Sequence, residues 1–419
     1  MKPSEQPPVS KHYFRLKGES AEEFVYELAT KTFLVDWCYR NPKWEDGKEI
    51  CDLLVAFDDV LIIWQIKDLK LHEGQYKIGK FQKNLRQLVG AQRNILNRQT
   101  AILLSNPRRG QEALNPRTIS ETYLVSAIVG SEANATPISA SVNGQVIHFL
   151  TRESVELVLN ELDTIRDFLD YLRSKEKLSR SGASIMVVGG EKQLLGAYLM
   201  SARNFSNYER GEHVLLPGIW EKCVGAREYA DRKERNAVSY YWDNLINIAH
   251  SSGVPHYEIV ARELARPNRL ERRTLSKAFL DGKKRAAEWV GDPQSYRRTV
   301  ILNGVTYCFL YSEDSSPNRE QRFSELQVMS FVARGIYKDN PNVVGIATEK
   351  RQDDPPTYDF CFMPLPEWTA DHQKRMDSIQ ARTGMLKDLK YGWTVEKEYT
   401  TLEKEPLDSE AESLGSGER

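Results

Sequence analysis

Lys48-Glu-Ile-Cys-Asp-Leu-Leu-Val-Ala-Phe-Asp-Asp-Val-Leu-Ile-Ile-Trp-Gln-Ile-Lys-Asp-Leu-Lys70 reads as two strands joined by a tight turn at Asp58 and Asp59. With a two-residue turn, Phe57 faces Val60, and counting outward sets Asp52 opposite Gln65. Side chains alternate along a strand, so Asp52, Gln65 and Lys67 fall on one face. Directly opposed residues have Cβ atoms roughly 4.5–5.5 Å apart. Two oxygen ligands at that spacing can reach one hard cation such as Mg²⁺. Val60 to Trp64 is apolar on both faces, the pattern of a strand buried centrally in a sheet. An aspartate and a lysine at the end of such a strand are costly unless paired or bound.

The remaining composition narrows the class. A chain of 419 residues divides into about two, or three, domains. It is 40% hydrophobic and 28% charged, enough apolar mass for sizeable cores. The net charge of −1 means that any nucleic-acid surface must be local. Five cysteines (Cys38, Cys51, Cys223, Cys308, Cys361) form no CxxC pair, which fits a reduced, cytoplasmic protein. The seven histidines have no zinc-ligand spacing, and no signal peptide or long apolar span is present, so no membrane partner is expected.

Along the chain, residues 1–14 read as a flexible N-terminus, followed by a helix from Gly18 to Lys31 with an Ala21, Phe24, Val25, Leu28, Ala29 stripe. Phe33–Trp37 is read as a short strand, 68–78 as a polar loop, and 79–98 as a helix rich in Lys, Arg and Gln. Strands are expected at Thr100–Ser105, Thr122–Val129 and Gln145–Leu150, then one long amphipathic helix over 152–178. Ser, Arg and Gly at 179–184 mark a domain boundary, giving domains at 15–180 and 184–400. The second opens with Ile185–Val188 and a Gly189-Gly190 turn, which lacks Walker spacing and reads as an ordinary strand–helix turn. Helical signals fill 191–290. Strands at Thr299–Leu302, Val305–Tyr311, Val343–Thr348 and Tyr358–Met363 then flank a helix at 320–338. Residues 401–419 are an acidic tail expected to be disordered. The fold class is α/β throughout.

The helix–hairpin–helix order with Asp52 and Gln65-x-Lys67 resembles the PD-(D/E)xK, or restriction-endonuclease-like, nuclease superfamily, nearest its nuclease-related-domain and Mrr-like branches. The opening Gly18-Glu19-Ser20-Ala21-Glu22-Glu23-Phe24-Val25 is similar to that family's first helix. Glu49-Ile50-Cys51-Asp52 is similar to its acidic-Ile-Asp strand with one inserted residue, and Asn84-Leu85-Arg86-Gln87-Leu88 to its Gln-bearing helix. The likeness covers about residues 15–150, and it implies an αβββαβ core followed here by a second mixed α/β domain. It implies a Mg²⁺- or Mn²⁺-dependent nuclease with catalytic Asp52, Gln65, Lys67 and Glu22. Asp52, Gln65 and Glu22 would be the metal ligands, Lys67 would polarise water, and Gln87 and Glu23 would support the site. Two positions depart from the pattern. Cys51 replaces the name-giving proline, and Gln65 stands where an acid is usual, which lowers the charge available to a cation.

Two basic runs are candidate nucleic-acid contacts or solvated helix faces: Lys70, Lys80, Lys83 and Arg86 near the site, and 262–285 with Arg272 and Arg273. Glu313, Glu325 and Asp359 do not form a second nuclease pattern, since no lysine follows at the needed spacing. The expected function is phosphodiester hydrolysis, DNA favoured, in bacterial restriction or anti-phage defence. The expected partners are nucleic acid, a second copy of the chain or a defence-system protein. The alternatives are a nuclease-fold module that binds nucleic acid without turnover, and a regulatory subunit that uses the fold as scaffold.

Overall fold

The computed structural model describes residues 11–398 apart from 70, 74, 131–136, 255, 289–294, 313–318, 351–355 and 393–395. In the first half the elements are α1 (Lys11–Phe33), β1 (Cys38–Arg40), β2 (Leu53–Phe57), β3 (Val60–Lys67), β4 (Leu71–His72), β5 (Gln75–Tyr76), α2 (Ile78–Leu96), β6 (Ile102–Asn106), β7 (Gly110–Leu114), β8 (Glu121–Ile128), β9 (Ser139–Val142), β10 (Gln145–Thr151), α3 (Arg152–Glu161) and α4 (Ile165–Arg180). The second half holds β11 (Ser184–Val187), α5 (Glu191–Met200), β12 (Glu212–Leu215), α6 (Ile219–Gly225), α7 (Arg227–Asn236), α8 (Tyr240–Ser251), α9 (Tyr257–Ala265), α10 (Arg269–Glu288), β13 (Tyr296–Leu302), β14 (Val305–Ser312), α11 (Arg319–Ile336), β15 (Asn342–Glu349), β16 (Tyr358–Pro364) and α12 (Ala370–Thr383).

The quoted stretch makes the hairpin it encodes. Phe57 pairs with Val60 and Leu53 with Trp64. The turn is closed by Asp58 in a left-handed conformation (φ 53°), which aspartate tolerates better than most residues. A six-stranded mixed sheet of order β1-β2-β3-β8-β10-β9 grows from it. β3 runs antiparallel to β2 and parallel to β8, with α2 in the crossover. Alternation then sorts the core. Val60, Ile62, Trp64 and Ile66 face α1, α3 and α4, where Trp64 stacks on Phe168 at 5.8 Å. Leu61 and Ile63 face Leu88, Ala91 and Ile95 of α2. Apolar burial on both faces explains the unbroken hydrophobic run.

A second sheet of order β13-β14-β15-β16 follows, with α11 in its own parallel crossover between β14 and β15. One face packs on α11 and α12. The other joins the apolar cluster of the first half through α8–α10, where Trp242 meets Tyr307 and Phe279 meets Phe309. That cluster runs without a break past the composition change at 179–184. No helix of the described residues is long and apolar enough to cross a membrane, and all five cysteines are buried and free.

Several expectations are corrected. Phe33–Trp37 is not a strand: α1 runs to Phe33 and Val35–Trp37 is a 3₁₀ turn. The helix read over 152–178 is two helices. Leu162 leaves helical geometry, and Thr164 caps α4 by accepting a 3.1 Å hydrogen bond from Asp167 N–H. The apolar period continues through the break, so it hid the break. Residues 68–78 contain the small β4–β5 pair, β12 is a strand inside the stretch read as helical, and β7, β9 and α12 lie where no element was expected. α1 already begins at Lys11, ahead of Gly18. Residues 1–10 and the tail from 399 lie outside the described residues.

On β10, His148 is fully buried between β8 and α4. Burial pushes its pKa down to about 4, with Lys175 and Arg180 adding to the shift and Glu176 at 3.6 Å opposing it. The unfolded chain therefore takes up this proton near pH 6.5 and the folded chain only near 4, so stability falls as pH drops through that window. Wild type should lose up to about 1.4 kcal/mol per pH unit there relative to His148→Asn. Urea unfolding of both proteins at pH 7 and pH 5 measures the difference; parallel losses would refute it.

Candidate active site

Asp52 lies just before β2, and Lys67 is the last residue of β3. Regular pairing stops at Leu53–Trp64, and the Asp52 N–H donates to the Trp64 carbonyl at 3.2 Å. The expected Asp52–Gln65 ladder pair is therefore not made. The Asp52 carboxylate, 4% exposed, instead accepts from the Ile66 N–H and from Lys67 Nζ at 3.1 Å. The shared face survives: Asp52, Gln65 and Lys67 occupy the alternation positions facing α2. Gln65 is buried beside Ser126 of β8.

Glu22 and Glu23 divide their roles. Glu23 pairs with Arg40 of β1, bracing α1 against the sheet. Glu22 accepts a 3.1 Å hydrogen bond from Asn41 Nδ2, while the Asn41 N–H donates to the Asp52 carbonyl at 3.0 Å. Asn41 adopts φ 45°, a left-handed conformation that lets one residue serve both neighbours.

Glu49 is the site member the residue reading left unassigned, although it stood in the quoted acidic-Ile-Asp match. Glu49 is an exposed residue, yet partial desolvation of its carboxyl pushes its pKa up to about 7. A hydrogen bond to Asp52 and the charges of Asp52 and Glu22 add to the rise, and Lys67 opposes it. Three carboxylates thus act on one another around a single lysine. The buried Asn41 Oδ1, which has no hydrogen-bond partner, adds another acceptor. Such an excess of oxygen donors is chemically suited to a hard cation. Yet no three His, Cys, Asp or Glu side chains among the described residues are already grouped to hold a metal ion.

The supporting helix differs from its expected role. Gln87 is exposed on the outer side of α2. One helical turn earlier, Asn84 is buried and donates to Ser126 Oγ at 2.6 Å, next to Gln65 in the sheet register. The spacing of Leu88, Ala91 and Ile95 puts Asn84 on the buried face, so the apolar stripe could have identified it.

The basic residues also divide. Lys80, Lys83 and Arg86 are exposed on α2 and free to meet phosphates; Lys70 lies outside the described residues. Arg272 and Arg273 are not surface contacts. Arg272 is 2% exposed, pairs with Asp243 at 2.7 Å and donates to the Pro267 and Ala265 carbonyls. Arg273 is fully buried against Asn236 and the Lys397 carbonyl. Both face inward because α10 packs on α7 and α8.

Comparison with models of known protein families, with curated proteins and with solved structures found no match.

Two stability outcomes follow. Arg272→Ala leaves Asp243 with Arg269 alone and deprives the Pro267 and Ala265 carbonyls of a donor, so it should cost about 1–3 kcal/mol, whereas Lys80→Ala or Lys83→Ala should stay within about 0.5 kcal/mol; chemical denaturation separates them. For Glu49 the folded pKa lies above the unfolded value, so the folded state holds the extra proton and loses stability as pH rises from 4.5 through about 7. Glu49→Gln should therefore raise the melting temperature at pH 8 and leave it unchanged at pH 4. A stabilisation of equal size at both pH values would contradict the assignment.

Proposed function

We propose that this chain is a metal-dependent nuclease with a restriction-endonuclease-like core, hydrolysing phosphodiester bonds, with DNA the favoured substrate and bacterial restriction or anti-phage defence the setting. The carrying observation is the convergence of Asp52, Glu49 and Glu22 with Lys67 at the open end of the β2–β3 hairpin. The topology supports the same reading. α1 leads into β1, β2 and β3, then α2 crosses to β8, which lies parallel beside β3, in the αβββαβ order of that superfamily.

Mg²⁺ or Mn²⁺ would be held by Asp52 and Glu49, with Glu22 and the Gln65 amide beside them. When bound, the cation supplies positive charge to the phosphate and acidifies water. Asp52 is fixed by the Ile66 N–H, so one of its oxygens is oriented before anything binds. Lys67 Nζ sits at the same carboxylate and brings a positive charge to where negative charge builds on the phosphate. Glu49, with a pKa near 7, holds or gives up a proton within the working range of pH. Exposed Lys80, Lys83 and Arg86 supply salt-sensitive backbone contacts on the same side of the sheet.

A second reading, nucleic-acid binding without turnover, is favoured by one observation: Lys67 already neutralises Asp52, and Gln65 adds no charge. Incubation of the protein with duplex DNA, single-stranded DNA and RNA under Mg²⁺ or Mn²⁺ separates the two. Cleavage is expected, abolished by EDTA and reduced at least about a hundredfold by Asp52→Ala and by Lys67→Ala. Cleavage undiminished in both variants sinks the nuclease reading. Salt-sensitive binding with no product under either metal establishes the second.

A further inference from the structure

Glu396, Lys397 and Glu398 form a short strap over the second half. Glu398 Oε1 accepts from Arg203 Nε at 2.6 Å and lies 3.5 Å from Arg232 Nη1. The Lys397 carbonyl accepts from Arg273 Nη2 at 2.6 Å. Glu396 meets Lys277 Nζ at 2.6 Å and Arg273 Nε at 3.3 Å. The three arginines come from separate elements: the loop after α5, α7 and α10. Arg232 and Arg273 are almost wholly buried.

Among the described residues, the strap supplies the carboxylates that face Arg273. Arg203 has Asp167, and Arg232 shares Glu161 with Lys233. Among the described residues, Arg273 has only the neutral Asn236 besides the strap, and its Nε makes no hydrogen bond. Burial, with the charges of Arg235 and Arg232, lowers its pKa, and the carboxylates that counter this are Glu396 and Glu398. An unpaired buried guanidinium is expensive, so Arg273 requires negative charge from some source.

The strap is anchored by polar and charged contacts. Glu396-Lys397-Glu398 has no apolar side chain, Lys397 is exposed, and the two acid side chains, 15% and 17% exposed, are held by charge alone. Its hold is electrostatic, which an anion of greater charge density can match. Guanidinium forks suit phosphate oxygens as well as carboxylates. We propose that the Arg203–Arg232–Arg273 pocket is a receptor for a diphosphate-bearing small molecule, which displaces the Glu396–Glu398 strap. The site shares no residue with the candidate active site and does not depend on its function.

Calorimetric titration of the full chain in EDTA, with inorganic pyrophosphate and with a nucleoside diphosphate, tests this. Glu396→Gln/Glu398→Gln should bind pyrophosphate at least about tenfold more tightly than wild type, and Lys277→Ala in that background should weaken it again. Tighter binding of the nucleoside diphosphate would make the ligand a nucleotide; equal binding would make it the diphosphate alone. Hydrogen exchange on wild type gives an independent reading should the double variant fail to fold. Amides of 396–398 should exchange faster when pyrophosphate is added. Unchanged exchange at the strap, or a folded double variant with no gain in affinity, overturns the proposal.

Discussion

The structure depends on β3 being buried on both faces. An antiparallel neighbour on one side and a parallel one on the other leave the strand no free backbone edge, and apolar layers above and below leave it no wet face. Its position is thereby fixed, and so is the point where its apolar run ends. Gln65 and Lys67 emerge there, and the chain entering β2 delivers Asp52 to the same place. A rigid strand aims the candidate site more accurately than a loop would, because its side-chain directions are set by the pleat.

Electrostatic tension is concentrated at this end of the sheet. The charges of Asp52 and Glu22 both act on Glu49, and one lysine offsets only part of their effect. The raised pKa of Glu49 is the expression of that tension. Strained, carboxylate-rich places of this kind are where bound cations and proton transfer are found, because the binding event removes the repulsion. Elsewhere the protein treats buried charge differently. Arg269, for example, is nearly closed from solvent but is met by Asp163 and Asp243, and its backbone N–H is received by Asp167. Such networks join α4 of the first half to α10 of the second.

Much of this was readable beforehand. The Asp58-Asp59 turn, the register from Phe57 to Leu53, the helix before the hairpin and the polar end of β3 follow from period-two patterning and turn chemistry. The limits were also physical. Counting placed Asp52 opposite Gln65, but the ladder ends one residue earlier, where the carboxylate finds a backbone N–H to accept from. Gln87 and Asn84 are separated by one helical turn, and only the packing stripe of α2 decides which one faces the sheet.

By itself the sequence determined the α/β class, the central hairpin and which side chains share a face with Lys67, because those depend on neighbours along the chain. Only the tertiary structure decided that Glu49 belongs to the candidate site, since its pKa is set by burial and by the charges of Asp52 and Glu22. It likewise decided that Lys80, Lys83 and Arg86 face solvent while Arg272 and Arg273 do not. Two basic runs of similar composition part there because the Asp243 and Glu396 that accompany the second are distant in sequence. Their pull on Arg272 and Arg273 exists only once α10 has packed.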